Sequence, residues 1–414
     1  MTIPRGLIAL PRDMPLVSVF PASARLLWRA LSSGPMTDPP AALQREADLI
    51  DACMRAGGAM FLAPSSYLGN VFAAAAAAAL RARAPGIQIV AVDDVLDAQG
   101  TPVAGFDTVL PTAALRRDSQ LAKLPAINCG YSIPTWLHFA QLVQQVGGRH
   151  VDLPELMYAL DMTLIYQTGP TTRAQTLAHA KRFDAVRARL ADALSVGTLD
   201  AVLQMALNGD RQPLLEVLCP GEQEYFSMFA GNPHPIRIGA DEHYVDIGAY
   251  DGDTVRKFRI AARNRYAAIH AFEPDPTNYA VLQQGLAEDG GRTTLYNAAV
   301  ADSAGTLAFD AQGTMGSRLD GNGAAHVDCL RLDDVVERAT LLKMDVEGAE
   351  PLVLRGATEL IRRCRPRLAI TCYHHALDLL DIVAELDRIL PGARLRLRKY
   401  SLYFYDTVLY VEWD

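Results

Sequence analysis

The chain has 414 residues, half of them apolar and 21% charged, too long for one ordinary core and balanced like a globular protein of two or more domains. Its formal net charge is −8 with no long basic run, so neither nucleic acid nor an anionic membrane is expected as the main partner. Six scattered cysteines without a C-x-x-C pair suit a reducing cytoplasm, and the proline-interrupted start MTIPRGLIALPRDMPLVSVF predicts neither a signal peptide nor a transmembrane helix.

In chain order, residues 1–56 read as an irregular lead with helical spacing at 25–31 and 41–55. From 57 the pattern alternates. AMFLA (59–63) predicts a strand, PSSYLGN a turn, VFAAAAAAALRARA a tightly packed helix, and IQIVAVDD (87–94) a second strand ending in acids. DTVLP and PAINCG predict further strands. Strands alternating with helices imply a parallel sheet with crossover helices, so 57–160 reads as a small Rossmann-like domain. Over 161–235 the strand signal fades, LAHAKRFDAVRARLADALSV and DAVLQMALNGD have helical period, and GNPHP is a breaker cluster; this predicts a helical connector. A second alternating series occupies 236–414. HYVDI (243–247), AIHAFE (268–273), TTLYNAAV (293–300), LLKMD (341–345) and RLAITCY (367–373) predict strands, with helices up to 263 and at 277–287, 350–363 and 377–389. GTLAF and AHVDCLRL predict an inserted hairpin, and RLRLRKYSLYFYDTVLYVEW a closing antiparallel hairpin. The fold class is therefore α/β.

Chemistry concentrates at the predicted strand ends. Ligands of open parallel sheets bind outside the carboxyl ends of the strands. In YVDIGAYDGD (244–253) a strand runs into a turn holding Asp246, Gly248, Asp251, Gly252 and Asp253. A pyrophosphate fingerprint needs G-x-G-x-x-G, whereas here two glycines stand among acids that repel phosphate. The turn suits a ligand with positive charge and no phosphates, such as S-adenosylmethionine. The plainer reading, that Asp251 or Asp253 caps the next helix, leaves Asp246 unexplained. AFEPDP places Glu273 at the end of the second strand, where a carboxylate can accept both ribose hydroxyls.

The segments YVDIGAYDGDTV, AFEPDP, NAAVAD, LKMDVEGAE and ITCYHH, in that order and spacing, resemble the FkbM-type methyltransferases across 236–414. The resemblance implies a class I Rossmann-like methyltransferase sheet ending in an antiparallel hairpin, with S-adenosyl-L-methionine as cofactor and S-adenosyl-L-homocysteine as product. It implies that Asp246, Gly248, Asp251 and Gly252 line the methionine end, that Glu273 holds the ribose, that Asn297 lies near the ribose or adenine, and that Ala249, Asp253 and Pro274 belong to the same cofactor site. Tyr250 stands where many methyltransferases carry a second glycine.

On the acceptor side, Asp345 ends one strand and Glu347 sits in the loop beyond it, placed to orient an acceptor, help remove its proton or bind magnesium weakly. Glu347 and Glu350 are equally readable as helix caps around a turn at Gly348. Lys343, inside the strand, reads as a partner for an acid. In CYHH, His374 is a candidate general base, and His375 reads as structural. No histidine–carboxylate set has dense ligand spacing along the sequence, so no metal is expected.

VDDVLDAQGTPVAGFDTVLP is similar to sensor-type Rossmann domains of sugar-modifying enzymes, with Asp93 or Asp94 as ribose-binding analogue, but APSSYLGN is no phosphate loop, and a scaffold role is the favoured reading. The expectation is a cytoplasmic, S-adenosylmethionine-dependent O-methyltransferase acting on a hydroxyl of a saccharide, glycoconjugate or related natural product, without membrane insertion; a homodimer is allowed for. The alternatives are an NAD-dependent oxidoreductase, or a non-catalytic nucleotide or nucleotide-sugar binding scaffold.

Overall fold

The first sheet is built from β1 (Gly58–Leu62), β2 (Gln88–Val92), β3 (Thr108–Leu110), β4 (Ala126–Asn128) and β5 (His150–Asp152). All are parallel, in the order β3-β2-β1-β4-β5. Every residue of β1 is buried, as both faces of a parallel sheet are covered by its crossover helices. The computed structural model describes residues 39–100, 102–162, 170–228, 234–286, 291–310, 318–319 and 325–413; the helix expected at 25–31 lies outside them. No helix among the described residues is long and apolar enough to cross a membrane.

The helix after β1 starts earlier than the sequence suggests. It spans Tyr67–Arg83, because Ser66 accepts a hydrogen bond from the Gly69 N–H and so satisfies one of the open donors of the first turn. Ala73, Ala76 and Ala77 of the alanine run are buried against β1, which is where side chains this small let a helix sit close to a sheet.

The strand ends of this first sheet are filled by protein. Asp93 is buried and accepts from the Val95, Leu96 and Ser65 N–H groups, so its carboxylate caps the next helix. Asp94 accepts from the Thr112 N–H. At the ends of β4 and β5, the fully buried Arg211 forks onto Asp152, which also accepts from Trp136 Nε1 at 3.2 Å. Arg211 reaches the carbonyls of Gly130 and Leu402 and lies 4.9 Å over the Tyr403 ring. A side chain and a loop thus stand where a doubly wound sheet would take a ligand.

Helices Pro170–Ala178, Ala180–Arg187 and Ala193–Asn208 follow. They are tied to the last hairpin of the chain: the Ala191 N–H donates to the Leu395 carbonyl and Asp192 pairs with Arg398 at 2.8 Å.

The second sheet has seven strands. β6 (His243–Ile247), β7 (Ala268–Phe272) and β8 (Thr293–Tyr296) run parallel. Between β8 and β13, a four-stranded sheet contains β9 (Ala299–Val300), β10 (Gly305–Asp310), β11 (Arg318–Leu319) and β12 (Ala325–Leu330). The main sheet resumes with β13 (Leu341–Met344) and β14 (Arg367–Thr371), and closes with the antiparallel β15 (Arg394–Lys399) and β16 (Thr407–Glu412). Its order is β15-β16-β14-β13-β6-β7-β8. Tyr244, Val255, Phe258 and Ile269 form its core together with Tyr225 and Phe226, two residues that the sequence reading assigns to the connector.

Two expected elements are divided. TTLYNAAV is two strands in two sheets, broken at Asn297, whose side-chain amide donates to the carbonyls of Glu273 and Pro274 and bends the chain away. The helix expected over 350–363 is two, Glu350–Gly356 and Thr358–Cys364, separated at Ala357. At Gly356 the Ala301 carbonyl lies so near that a Cβ would fall well under 3.0 Å from it.

Candidate active site

The register of the main sheet brings four strand ends to one level. Ile247 of β6 faces Phe272 of β7 and Met344 of β13, and Met344 faces Ile370 of β14. The residues that follow, Gly248, Glu273, Asp345 and Thr371, therefore emerge side by side.

The glycine turn is set by close backbone contact. Gly248 has φ +78°, and a Cβ there would fall well under 3.0 Å from the Asp345 carbonyl oxygen. The Gly248 and Ala249 N–H groups both donate to the Phe272 carbonyl. Tyr250 takes φ +49°, a conformation that side chains adopt only when the surroundings impose it. The imposed contact is functional in form: the Tyr250 N–H donates to Glu273 Oε2 at 2.8 Å.

Glu273 receives a second backbone donor, Asp275 N–H to Oε1 at 2.9 Å. A carboxylate offers about four lone-pair positions; beside the two backbone donors the Asn278 side chain also bonds to it, so one remains for a ligand. Burial pushes the Glu273 pKa up to about 7, against which the two backbone hydrogen bonds work. Asn297 braces the same spot through the carbonyls of Glu273 and Pro274.

Asp246 is turned inward. It is fully buried, accepts from Tyr244 OH at 2.9 Å and Thr254 Oγ1 at 2.5 Å, and lies 3.2 Å from Lys343 Nζ. Burial raises its pKa, with Lys343 opposing. Lys343 also donates to the Gly248 carbonyl, so one buried ammonium ties the acid of β6 to the turn beyond it. Asp251 pairs with Arg256 at 2.9 Å and accepts from the Asp253 N–H, the helix-start role weighed for it from the sequence. Asp253 faces a separate cleft of about 440 Å³ that Glu224, Arg256 and Lys257 also line. Glu273, Pro274, Asn297, Gly248 and Ala249 are thus brought together, Asp246 supports them from below, and Asp251 and Asp253 lie around the start of the next helix.

Beside the turn stands a second cluster. Asp345 Oδ2 accepts from Tyr225 OH at 2.9 Å, and Oδ1 lies 3.2 Å from Thr371 Oγ1. His374 is 2% exposed, and three carboxylates surround it. Its Nδ1 is 3.3 Å from Glu350 Oε1, and its Nε2 is 3.5 Å from Asp345 Oδ1 and 3.6 Å from Glu347 Oε2. Burial lowers the imidazole's pKa, but Glu350, then Asp345 and Glu347, outweigh it and leave it at about 9. At neutral pH that ring is an imidazolium without a lone pair, which is the opposite of what the general-base expectation for His374 requires. Asp345, a quarter exposed, is the open member of the group. Glu347 adopts φ +54° ahead of Gly348 at +94°, and the Gly348 position abuts the His375 ring.

Sequence reasoning missed four of these contributors. Tyr225 lies 120 residues from Asp345, in the stretch read as a helical connector. Tyr244 and Thr254 lie within YVDIGAYDGDTV but are given no role there, and Glu350 is weighed only as a cap.

Residues 246–396 match the family model described as the methyltransferase FkbM domain. The chain carries an FkbM methyltransferase domain. The crystal structure of methyltransferase FkbM from Methylobacillus flagellatus KT is 26% identical and superposes with a TM-score of 0.70 over 94% of this chain and 98% of that one. The likeness therefore extends through the first sheet and the helices ahead of the FkbM domain. Two further solved structures overlap less. Fibrillarin from Aeropyrum pernix, in complex with natively bound S-adenosyl-L-methionine, is 11% identical, with a TM-score of 0.30 over 44% of this chain and 70% of that one. An rRNA methylase from Streptococcus thermophilus is 16% identical, with a TM-score of 0.29 over 42% and 89%. At that overlap they add nothing to the assignment. No curated protein matches the chain in sequence.

Proposed function

We propose that the FkbM domain binds S-adenosyl-L-methionine at the Gly248 turn and Glu273, and transfers its methyl group to a hydroxyl oxygen of a saccharide, glycoconjugate or related natural product. The observation that carries the reading is Glu273: a buried strand-end carboxylate aimed by two backbone N–H groups and the Asn278 side chain, with acceptor capacity left for a ribose hydroxyl. An acceptor oxygen lone pair attacks the methyl carbon, the S–C bond breaks, and its electron pair stays on sulfur. The hydroxyl proton passes to the Asp345 carboxylate. Much of the acceleration comes from holding oxygen, carbon and sulfur in line. Asp345 supports oxygen rather than carbon acceptance, since Tyr225 OH and Thr371 fix both its oxygens at the edge of the cofactor turn.

The test is calorimetric titration of S-adenosyl-L-homocysteine into the full chain and into Glu273→Ala, with NAD for comparison. Micromolar binding that the variant loses, with no heat from NAD, supports the reading; binding of NAD alone overturns it. Transfer of labelled methyl groups to saccharide pools then tests the acceptor class.

A further inference from the structure

Asp345, Glu347, Glu350 and His374 are spread over thirty positions of sequence, yet they fold into one group. One ligand atom each from Asp345, Glu350 and His374 lies within 4.8 Å of the others. Three carboxylates around one imidazole leave the group negative even when the ring is protonated. Charge of that kind is costly below the surface unless a cation accompanies it. Lys343, the ammonium in the strand, makes its close contacts with Asp246 and the Gly248 carbonyl and also attracts Asp345, which leaves Glu347 and Glu350 to His374. Glu350 is fully buried, and its Oε2 has no hydrogen-bond partner among the described residues.

The distances carry the argument further. A charge-assisted N–H···O contact closes to about 2.7–2.9 Å. His374 Nε2 instead stands 3.5 Å from Asp345 Oδ1 and 3.6 Å from Glu347 Oε2. Two ligands about 2.1 Å from a shared tetrahedral ion are separated by about 3.4 Å. On the opposite side of the ring, Glu350 faces Nδ1 at 3.3 Å, the position of the carboxylate that orients a metal-bound histidine.

We propose that a divalent cation displaces the Nε2 proton of His374 to solvent and binds there together with Asp345 and Glu347, with Glu350 positioning the imidazole from behind. One nitrogen and two carboxylate ligands select an ion of the manganese or zinc kind over calcium or magnesium, which prefer all-oxygen shells. The ion sits at the carboxyl end of β13, beside the Gly248 turn. Resting on the methyltransferase reading above, its open positions are available to the acceptor oxygen, whose proton they make more acidic.

The experiment uses the full chain stripped with a chelator. Manganese(II) chloride is titrated in and followed by electron paramagnetic resonance, with zinc(II) and magnesium(II) chlorides as competitors and metal content read by mass spectrometry. One equivalent of manganese bound in the micromolar range is expected, displaced by zinc and not by magnesium. Glu347→Gln weakens binding at least tenfold and Glu350→Gln by about 10–100-fold. S-adenosyl-L-homocysteine affinity, measured on the same samples, stays within twofold in Glu347→Gln and reports an intact fold. No manganese or zinc taken up at millimolar concentration, or both variants binding as tightly as the parent, overturns the inference. Metal uptake without S-adenosyl-L-homocysteine binding sinks the methyltransferase reading instead, so the two failures are distinct.

Discussion

With Glu273 holding the ribose as proposed, its raised pKa should make cofactor affinity depend on pH. Burial puts it at about 7 in the free protein, so about a tenth of the molecules carry the carboxylate at pH 6 and about nine tenths at pH 8. Ribose hydroxyls donate to the charged form, so binding pulls this pKa down and affinity rises with pH until the free protein is ionised. The dissociation constant of S-adenosyl-L-homocysteine should fall about tenfold between pH 6 and pH 8, about 1.4 kcal/mol. Binding at pH 6 should release close to one proton, and at pH 8 almost none. Calorimetry in buffers of different ionisation enthalpy counts those protons directly. Glu273→Gln keeps the side chain's shape and one acceptor oxygen but cannot ionise. It should bind more weakly by about 1.5–3 kcal/mol at pH 8 and show a flat profile. A parent protein whose affinity ignores pH, or a variant that keeps the slope, would refute the assignment of this carboxylate to the ligand.

Two other substitutions test the frame around the site. Gly248→Ala forces a Cβ onto the Asp345 carbonyl at φ +78°; strain and overpacking together should cost about 2–5 kcal/mol and abolish cofactor binding, read by urea denaturation and calorimetry. Arg211→Met leaves the buried Asp152 carboxylate without its cation and frees loop 400–406 from the first sheet; a loss of about 3–5 kcal/mol is expected in denaturation, and a loss under 1 kcal/mol would mean that the pair is dispensable.

How much of this was legible in the chain depends on the range of the interaction. Strand β6, its glycine turn and Glu273 are local patterns: an apolar run, residues that tolerate φ above zero, and an acid two residues ahead of a proline-led helix. They are written within ten or so neighbouring positions, so the sequence already marked both the α/β fold and the strand ends where its carboxylates gather. The same locality explains the failures. Asn297 ends a strand by bonding to Glu273 and Pro274, and Gly356 divides a helix where the Ala301 carbonyl presses on it; neither partner is adjacent.

Charge state belongs wholly to the folded molecule. A histidine at a strand end reads as a base, because its ordinary pKa is near neutrality. Only packing reveals that Glu350, Asp345 and Glu347 converge on His374 and hold it positive, or that Asp246 is locked to Lys343 rather than open to a ligand. What the sequence determined alone is the alternation of strands and helices and the chemistry placed at their ends, since both follow from residue type and short spacing. What the tertiary structure decided is which of those groups meet, because strand pairing and loop contacts join distant residues, Tyr225 and Asp345 across 120 positions, and pairing and burial then set the charge each one carries.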